Sequence, residues 1–205
     1  MLKNKSLRLF ALPAVAAVGS AFLAFSLRAA DDKDKVAALQ KEGYWGDADT
    51  MAKHGLVLGK PMPKLELSNW INKEVQPQDM KGKIIVVDYW ATWCGPCIRS
   101  IPHNNEVYEK YHGKGVELIG ACGGGGEEKM QERATDNKIA YPTAKVSAAS
   151  TEAWQVQWWP TYAVIDRNGI VRALGIQPQF VEKVVDALIE EQGDKAKTDE
   201  KAAAN

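Results

Sequence analysis

A buried strand that leads directly into a pair of cysteines is the feature that most constrains the fold. The run Ile84–Trp90 is apolar and β-branched apart from Asp88, which is typical of a central strand buried on both faces. A predicted helix then runs from about Cys94 to His112 and contains Cys97 in its first turn. A strand followed by such a helix predicts an α/β sheet with the cysteine pair at one edge.

The remaining elements predict a mixed central sheet with helices on both faces. Asn168-Gly169 supplies the positive φ of a hairpin turn between two of the strands. The order of elements requires a parallel crossover first and antiparallel strands afterwards. The predicted strands are 65–67, 84–90, 116–122, 162–165 and 170–174, and the later helices begin at 127 and span 178 to about 192.

The position of the two cysteines predicts their chemistry. At the start of a helix, free backbone N–H groups and the macrodipole favour an anion, so the pKa of the Cys94 thiol is expected to fall. Cys97 lies one turn further in and is expected to be more shielded from solvent. Cys94 is therefore predicted to attack a disulfide, and Cys97 to resolve the mixed disulfide.

Asp88 is a candidate general base. Inside an apolar strand its carboxylate would be desolvated, which raises its pKa. A raised pKa suits a group that takes the proton from Cys97 while substrate is released. The alternative is an acid that faces solvent at the strand end, although a charge in a strand buried on both faces is costly.

The first 30 residues have the pattern of an export signal. Lys3, Lys5 and Arg8 precede an apolar run over residues 9–27, and a charged stretch follows. The length of the run also fits a retained membrane anchor, so both interpretations stay open. Either one places the folded part outside the cytoplasm, in the periplasm or secreted. The formal net charge of zero gives no indication of a nucleic-acid partner.

Composition and turns divide the chain into four parts. Residues 1–30 are the signal peptide or anchor, and residues 31–56 are a linker with a peripheral helical segment that Gly43 interrupts. The folded domain is expected at 57–192. Residues 193–205 are polar and rich in alanine, and they are expected to form a disordered tail.

The stretch Val87–Cys97 resembles the active-site strand and helix of thioredoxin. With the export signal and Gly82-Lys83 before the strand, it resembles the TlpA/ResA-like branch of extracytoplasmic thiol–disulfide oxidoreductases. The resemblance covers about residues 57–192. It implies a thioredoxin fold, no cofactor, protein thiols and disulfides as substrates, and a membrane electron donor. Gly95-Pro96 resembles the pair in reducing thioredoxins, which favours a reductant.

The resemblance also implies roles for residues outside the cysteine pair. Pro160 matches the family's cis-proline, beside which an extended substrate chain binds, and Asp88 matches the acid beneath the dithiol. Pro102 matches a proline that bends the active-site helix. Ser100 stands where the branch often has glutamate. The residues expected to contact substrate are Trp93, Gly95, Pro96, Trp159 and Pro160, and the bulk of Trp159 is expected to narrow the groove or cover the dithiol.

Other residues carry weaker hypotheses. Cys122 ends the second buried strand and is either a third redox thiol or a small buried hydrophobe. Gly123–Gly126 lacks the Lys-Ser/Thr of a phosphate loop and is expected to be flexible. A zinc site needs four ligands, whereas the chain has one C-x-x-C and three scattered histidines, which are expected at the surface.

Two other functions remain open. A peroxiredoxin-like thiol peroxidase would need a peroxide pocket with a proline and a threonine before its cysteine, and no suitable proline precedes Cys94. A non-catalytic binding module would keep the fold and use only the groove beside Pro160.

Overall fold

The computed structural model of the chain describes residues 35–203, in which a six-stranded mixed sheet carries helices on both faces. The strands are β1 (Leu67–Ile71), β2 (Ile84–Trp90), β3 (Val116–Cys122), β4 (Thr143–Val146), β5 (Thr161–Ile165) and β6 (Val171–Ile176). The helices are α1 (35–43), α2 (Ala48–His54), α3 (Pro77–Met80), α4 (Gly95–Tyr111), α5 (Met130–Asp136), α6 (Ala148–Ala153) and α7 (Pro178–Ala203), and two short 3₁₀ helices span His112–Lys114 and Glu127–Lys129.

The sheet has the order β1-β4-β3-β2-β5-β6. Strand β2 pairs in parallel with β3 and antiparallel with β5, and the hairpin of β5 and β6 closes that side. The crossover and the hairpin predicted from the sequence are both present. The mixed six-stranded sheet is the architecture that the resemblance to thioredoxin implied.

Strand β2 is buried on both faces because each face packs against a separate core. Val86 and Trp90 join a cluster with side chains of α4 and α7, whereas Val87 and Tyr89 join a second cluster that contains Trp154. Alternate residues of a strand point to opposite faces, so two apolar cores require a continuous apolar run. This packing explains the pattern seen in the sequence.

The segment before residue 57 packs closely on the rest of the protein. Val36 of α1 belongs to the core cluster, and Tyr44 forms an antiparallel bridge with Ile176 at the end of β6. A Cβ on Gly43 would lie 2.5 Å from the Phe180 ring, so only glycine permits this approach. The helical segment expected to be peripheral therefore contributes buried side chains.

Three expectations differ from the structure or lie outside it. Strand β1 begins at Leu67 rather than at residue 65. Helix α7 continues to Ala203, so the backbone is helical over most of the range expected to be disordered; its alanine, lysine and glutamate residues are strong helix formers. The predicted signal or anchor lies outside the described residues. Between residues 35 and 203, no helix is long and apolar enough to cross a membrane.

Candidate active site

Cys94 occupies the N-cap of α4, and its sulfur accepts a hydrogen bond from the backbone N–H of Cys97 at 3.2 Å. The two cysteines form a disulfide, with their Cα atoms 5.3 Å apart. Pro96 falls in the first turn, where a missing N–H costs nothing. Helix α4 is continuous through Pro102. Once the disulfide is reduced, the same N–H and the helix dipole would stabilise a thiolate on Cys94.

The two cysteines are almost equally shielded. Their exposed fractions are 3% for Cys94 and 2% for Cys97, so the expected difference is absent in this oxidised form. Cys97 lies deeper along the helix than Cys94, but both residues pack in the same core cluster. Trp93 is 62% exposed, and Gly95 and Pro96 are exposed as well. These neighbours form exposed surface directly beside the disulfide.

The loop before β5 contains the proline that the resemblance to thioredoxin singled out. The Trp159–Pro160 peptide bond is cis, as the resemblance predicted. Trp159 is half-buried and packs against both core clusters. Its ring lies against Gly124, where a Cβ would be only 2.4 Å from the indole nitrogen.

The glycine loop after β3 supports the residues on either side of it. Gly124, Gly125 and Gly126 all have positive φ, a conformation that glycine adopts without steric cost. Thr92 donates a hydrogen bond to the carbonyl of Gly126 at 2.9 Å, and the Trp93 indole donates to that of Gly124 at 3.2 Å. The loop expected to be flexible is therefore tied to the residues just before Cys94.

Asp88 points into the core on the face of β2 that α4 covers. It shares this face with Val86 and Trp90, which cluster with Cys94 and Cys97. Burial raises the pKa of Asp88 from 3.8 to about 7, against the opposing effect of its hydrogen bonds. A carboxyl that titrates near neutral pH can accept and return a proton, as the sequence analysis expected of it.

Three buried polar residues that the sequence analysis did not identify surround Asp88. Its Oδ2 accepts hydrogen bonds from Asn104 at 2.9 Å and from the Tyr141 hydroxyl at 3.2 Å. The Tyr162 hydroxyl in turn donates to Asn104 at 3.2 Å. Within residues 35–203, Oδ1 of Asp88 has no hydrogen-bond partner. That oxygen is therefore free to take up a proton.

A signal for one of these residues was present in the sequence. Cys97, Ile101 and Asn104 follow the helical spacing of one face, and all three are buried. A polar residue on the apolar face of the active-site helix must have a buried partner. Asn104 was therefore identifiable, whereas Tyr141 and Tyr162 come from distant segments.

Cys122 lies at the same sheet edge as the dithiol, directly opposite Trp90 in the pairing of β2 and β3. It is a free thiol and is fully buried. Burial, reinforced by the charges of Glu127 and Asp88, raises its pKa to about 12. A thiol that does not ionise at neutral pH is a poor nucleophile, so the structure favours the small buried hydrophobe over the third redox thiol.

The three histidines were expected at the surface, but not all of them lie there. His54 is fully buried, whereas His112 is exposed and His103 is half-buried. Residues 35–203 contain no group of three or more potential metal-ligating side chains.

Comparison with known proteins identifies the family. A family model described as Redoxin matches residues 58–189. The chain belongs to the Redoxin family. The relatives include a thiol-disulfide oxidoreductase ResA of Bacillus cereus, which is 28% identical over 152 residues, or 74% of this chain and 80% of that one. ResA of Geobacillus thermodenitrificans is 29% identical over 123 residues, 60% of this chain and 71% of that protein.

Solved structures show the same fold. A putative thiol:disulfide interchange protein DsbE from Chlorobium tepidum superimposes with a TM-score of 0.58 at 24% identity, over 64% of this chain and 97% of that one. A thioredoxin-like protein solved in its oxidised form gives a TM-score of 0.56 at 27% identity, over 64% and 95% of the two chains. This Redoxin-family protein is a TlpA/ResA-like thiol–disulfide oxidoreductase of the thioredoxin superfamily.

Proposed function

We propose that this protein uses the Cys94–Cys97 pair to reduce disulfides of protein substrates outside the cytoplasm. The Cys94 thiolate attacks one sulfur of the substrate disulfide, and the other substrate sulfur leaves as a thiolate. Cys97 then gives its proton to Asp88, attacks the Cys94 sulfur of the mixed disulfide and releases the second substrate sulfur as a thiolate. The products are the reduced substrate and the Cys94–Cys97 disulfide, which an external donor of two electrons must reduce.

One observation carries this proposal. Cys94 caps α4 with the N–H of Cys97 aimed at its sulfur, and the two sulfurs are within bonding distance. Trp93, Gly95 and Pro96 are exposed beside them, and Trp159 and Pro160 lie in the loop before β5. This arrangement supports substrate binding by the five residues that the sequence analysis selected.

Asp88 supports the reducing direction. A disulfide carrier becomes a stronger oxidant when its thiolate form is stabilised. A buried carboxylate beneath the dithiol does the opposite, because two negative charges in a low-dielectric core repel one another. Together with the Gly95-Pro96 resemblance to reducing thioredoxins, this favours electron flow from the dithiol to substrate.

The redox potential of the Cys94–Cys97 couple tests the direction. We expect a value near that of thioredoxin, about −270 mV, from equilibration with glutathione or dithiothreitol followed by thiol labelling. A Cys122→Ala control should give the same potential, because that buried thiol takes no part in the couple. A value near that of a strong oxidant, about −120 mV, would reverse the proposed direction.

The N-terminal sequence supports the proposed location. We propose that residues 1–30 export the chain, with residues 9–27 as the apolar part of a cleaved signal or an anchor, and that a membrane protein supplies the electrons. Fractionation of bacterial cells should place the full chain outside the cytoplasm and a chain lacking residues 1–30 inside it. Recovery of both chains from the cytoplasm would contradict the location. N-terminal sequencing of the exported protein distinguishes a cleaved signal from an anchor.

A further inference from the structure

A second feature lies beside the dithiol and is built partly by the segment before residue 57. Trp45 and Asp47 face the loop before β5 across a cleft of about 320 Å³. The cleft reaches Pro96, which stands between the two cysteines. Its lining residues are Trp45, Gly46, Asp47, Thr50, Pro96, Trp158 and Trp159.

Buried contacts hold the two walls of this cleft together. The Nε2 of His54 donates a hydrogen bond to the carbonyl of Gln155 at 2.9 Å, and its Nδ1 accepts one from the Tyr44 hydroxyl at 3.2 Å. The His54 ring also lies 5.3 Å from that of Trp158. A Cβ on Gly46 would be 2.5 Å from the Trp158 ring, so glycine permits the close approach. These contacts connect the segment before residue 57 to the loop before β5 on either side of the cleft.

The lining has the chemistry of a site for a cation. Three tryptophan rings surround it, and tryptophan faces attract lysine and arginine side chains. Among the described residues, Asp47 is the one charged side chain in the lining. Its Oδ1 accepts a hydrogen bond from the N–H of Thr50 at 2.8 Å, and such bonds, with the nearby charge of Lys53, hold the pKa of Asp47 below its ordinary value. The carboxylate therefore stays ionised, while the Lys53 ammonium donates to Gln157 at 3.1 Å.

We propose that this cleft binds a lysine or arginine side chain of the polypeptide substrate, close in sequence to the cysteine that Cys94 attacks. The inference rests on the proposed function and adds a substrate preference to it. The lining includes Pro96, which stands between the two cysteines, and Trp159, which directly precedes Pro160, so the cleft adjoins both. A substrate chain that places its disulfide against Cys94 can then place a neighbouring side chain between the tryptophans.

Two synthetic peptides test the preference. Each peptide is closed by one disulfide between its two cysteines. The peptides differ at a single position, directly after one of these cysteines, which is arginine in one peptide and glutamate in the other. We expect the full-length protein to reduce the arginine peptide with a kcat/KM about tenfold higher than that for the glutamate peptide. Asp47→Asn and Trp45→Ala should each lower this ratio of kcat/KM values to about threefold or less. Asparagine is as good an N-cap as aspartate, so Asp47→Asn removes the charge and keeps α2 capped.

Asp49→Asn is the matched control. Asp49 lies two residues further along α2, is exposed and does not line the cleft, so its loss removes the same charge without touching the site. We expect this variant to keep the wild-type preference. Equal rates for the two peptides, or a preference that survives both cleft variants, would overturn the inference alone. Failure of the wild type to reduce either peptide would overturn the proposed function and the inference with it.

Discussion

Replacing Cys94 by serine is expected to lower kcat/KM for reduction of insulin disulfides by at least about a thousandfold, because Cys94 is the sulfur that the helix start activates for attack. Cys97 lies inside α4 rather than at its N-cap, and Cys122 is buried with its pKa raised to about 12. A serine hydroxyl at the helix start does not ionise at neutral pH. The variant should nevertheless fold, because serine is a good N-cap residue.

Two matched variants make this result specific. Cys122→Ala should retain wild-type turnover, since alanine replaces a buried thiol that does not ionise. Cys97→Ser should react once and then stop, with Cys94 held in a mixed disulfide that is detectable by mass spectrometry. Insulin reduction by Cys94→Ser at more than a few per cent of the wild-type rate would contradict the assignment of the nucleophile. Equal losses in Cys94→Ser and Cys122→Ala would contradict it as well.

The features of the site that depend only on neighbouring residues in the sequence were predictable. An apolar run interrupted by one acid indicated both the strand buried on two faces and the raised pKa of Asp88, because both follow from burial at a single position. The N-cap location of Cys94 followed from the strand-to-helix junction in the same way. The cis peptide at Pro160 was expected only through the resemblance to thioredoxin.

The rest of the site depends on contacts between distant segments. Tyr141 precedes β4 and reaches Asp88 only because β4 pairs with β3, which pairs with β2. The glycine run after β3 was visible, but its role depends on the Trp159 ring packed against it. The cleft wall formed by Trp45 could not be inferred, since nothing local indicates that α2 packs against the loop before β5.

Asp88→Asn is expected to make the protein more stable at pH 8 and less active. The pKa of Asp88 is about 7 in the folded protein, against an ordinary value of 3.8. The folded state therefore binds this proton more tightly than the unfolded state does. The contribution of Asp88 to the free energy of unfolding is greatest below about pH 4 and falls as the pH rises to about 7, by at most about 4 kcal/mol.

Asparagine at position 88 removes this fall in stability because its side chain does not ionise. Its side-chain oxygen can still accept the hydrogen bonds from Asn104 and Tyr141. Its amide group would replace Oδ1, which has no partner within residues 35–203, at a cost of about 1–3 kcal/mol. The net gain at pH 8 should be about 2 kcal/mol, and the fall in stability between pH 4 and 7 should disappear. Urea unfolding at pH 4.5, 7 and 8.5 measures both effects.

The same substitution removes the proposed proton acceptor for Cys97. Resolution of the mixed disulfide should slow by about a hundredfold near pH 7, the size expected for loss of a general base. Asp136→Asn, which changes an exposed carboxylate on α5, should alter neither stability nor rate. A merely structural role for Asp88 would lower stability and activity together. A gain in stability with a loss of activity therefore identifies a buried acid that is retained for proton transfer, and a variant less stable than wild type at pH 8 would contradict that role.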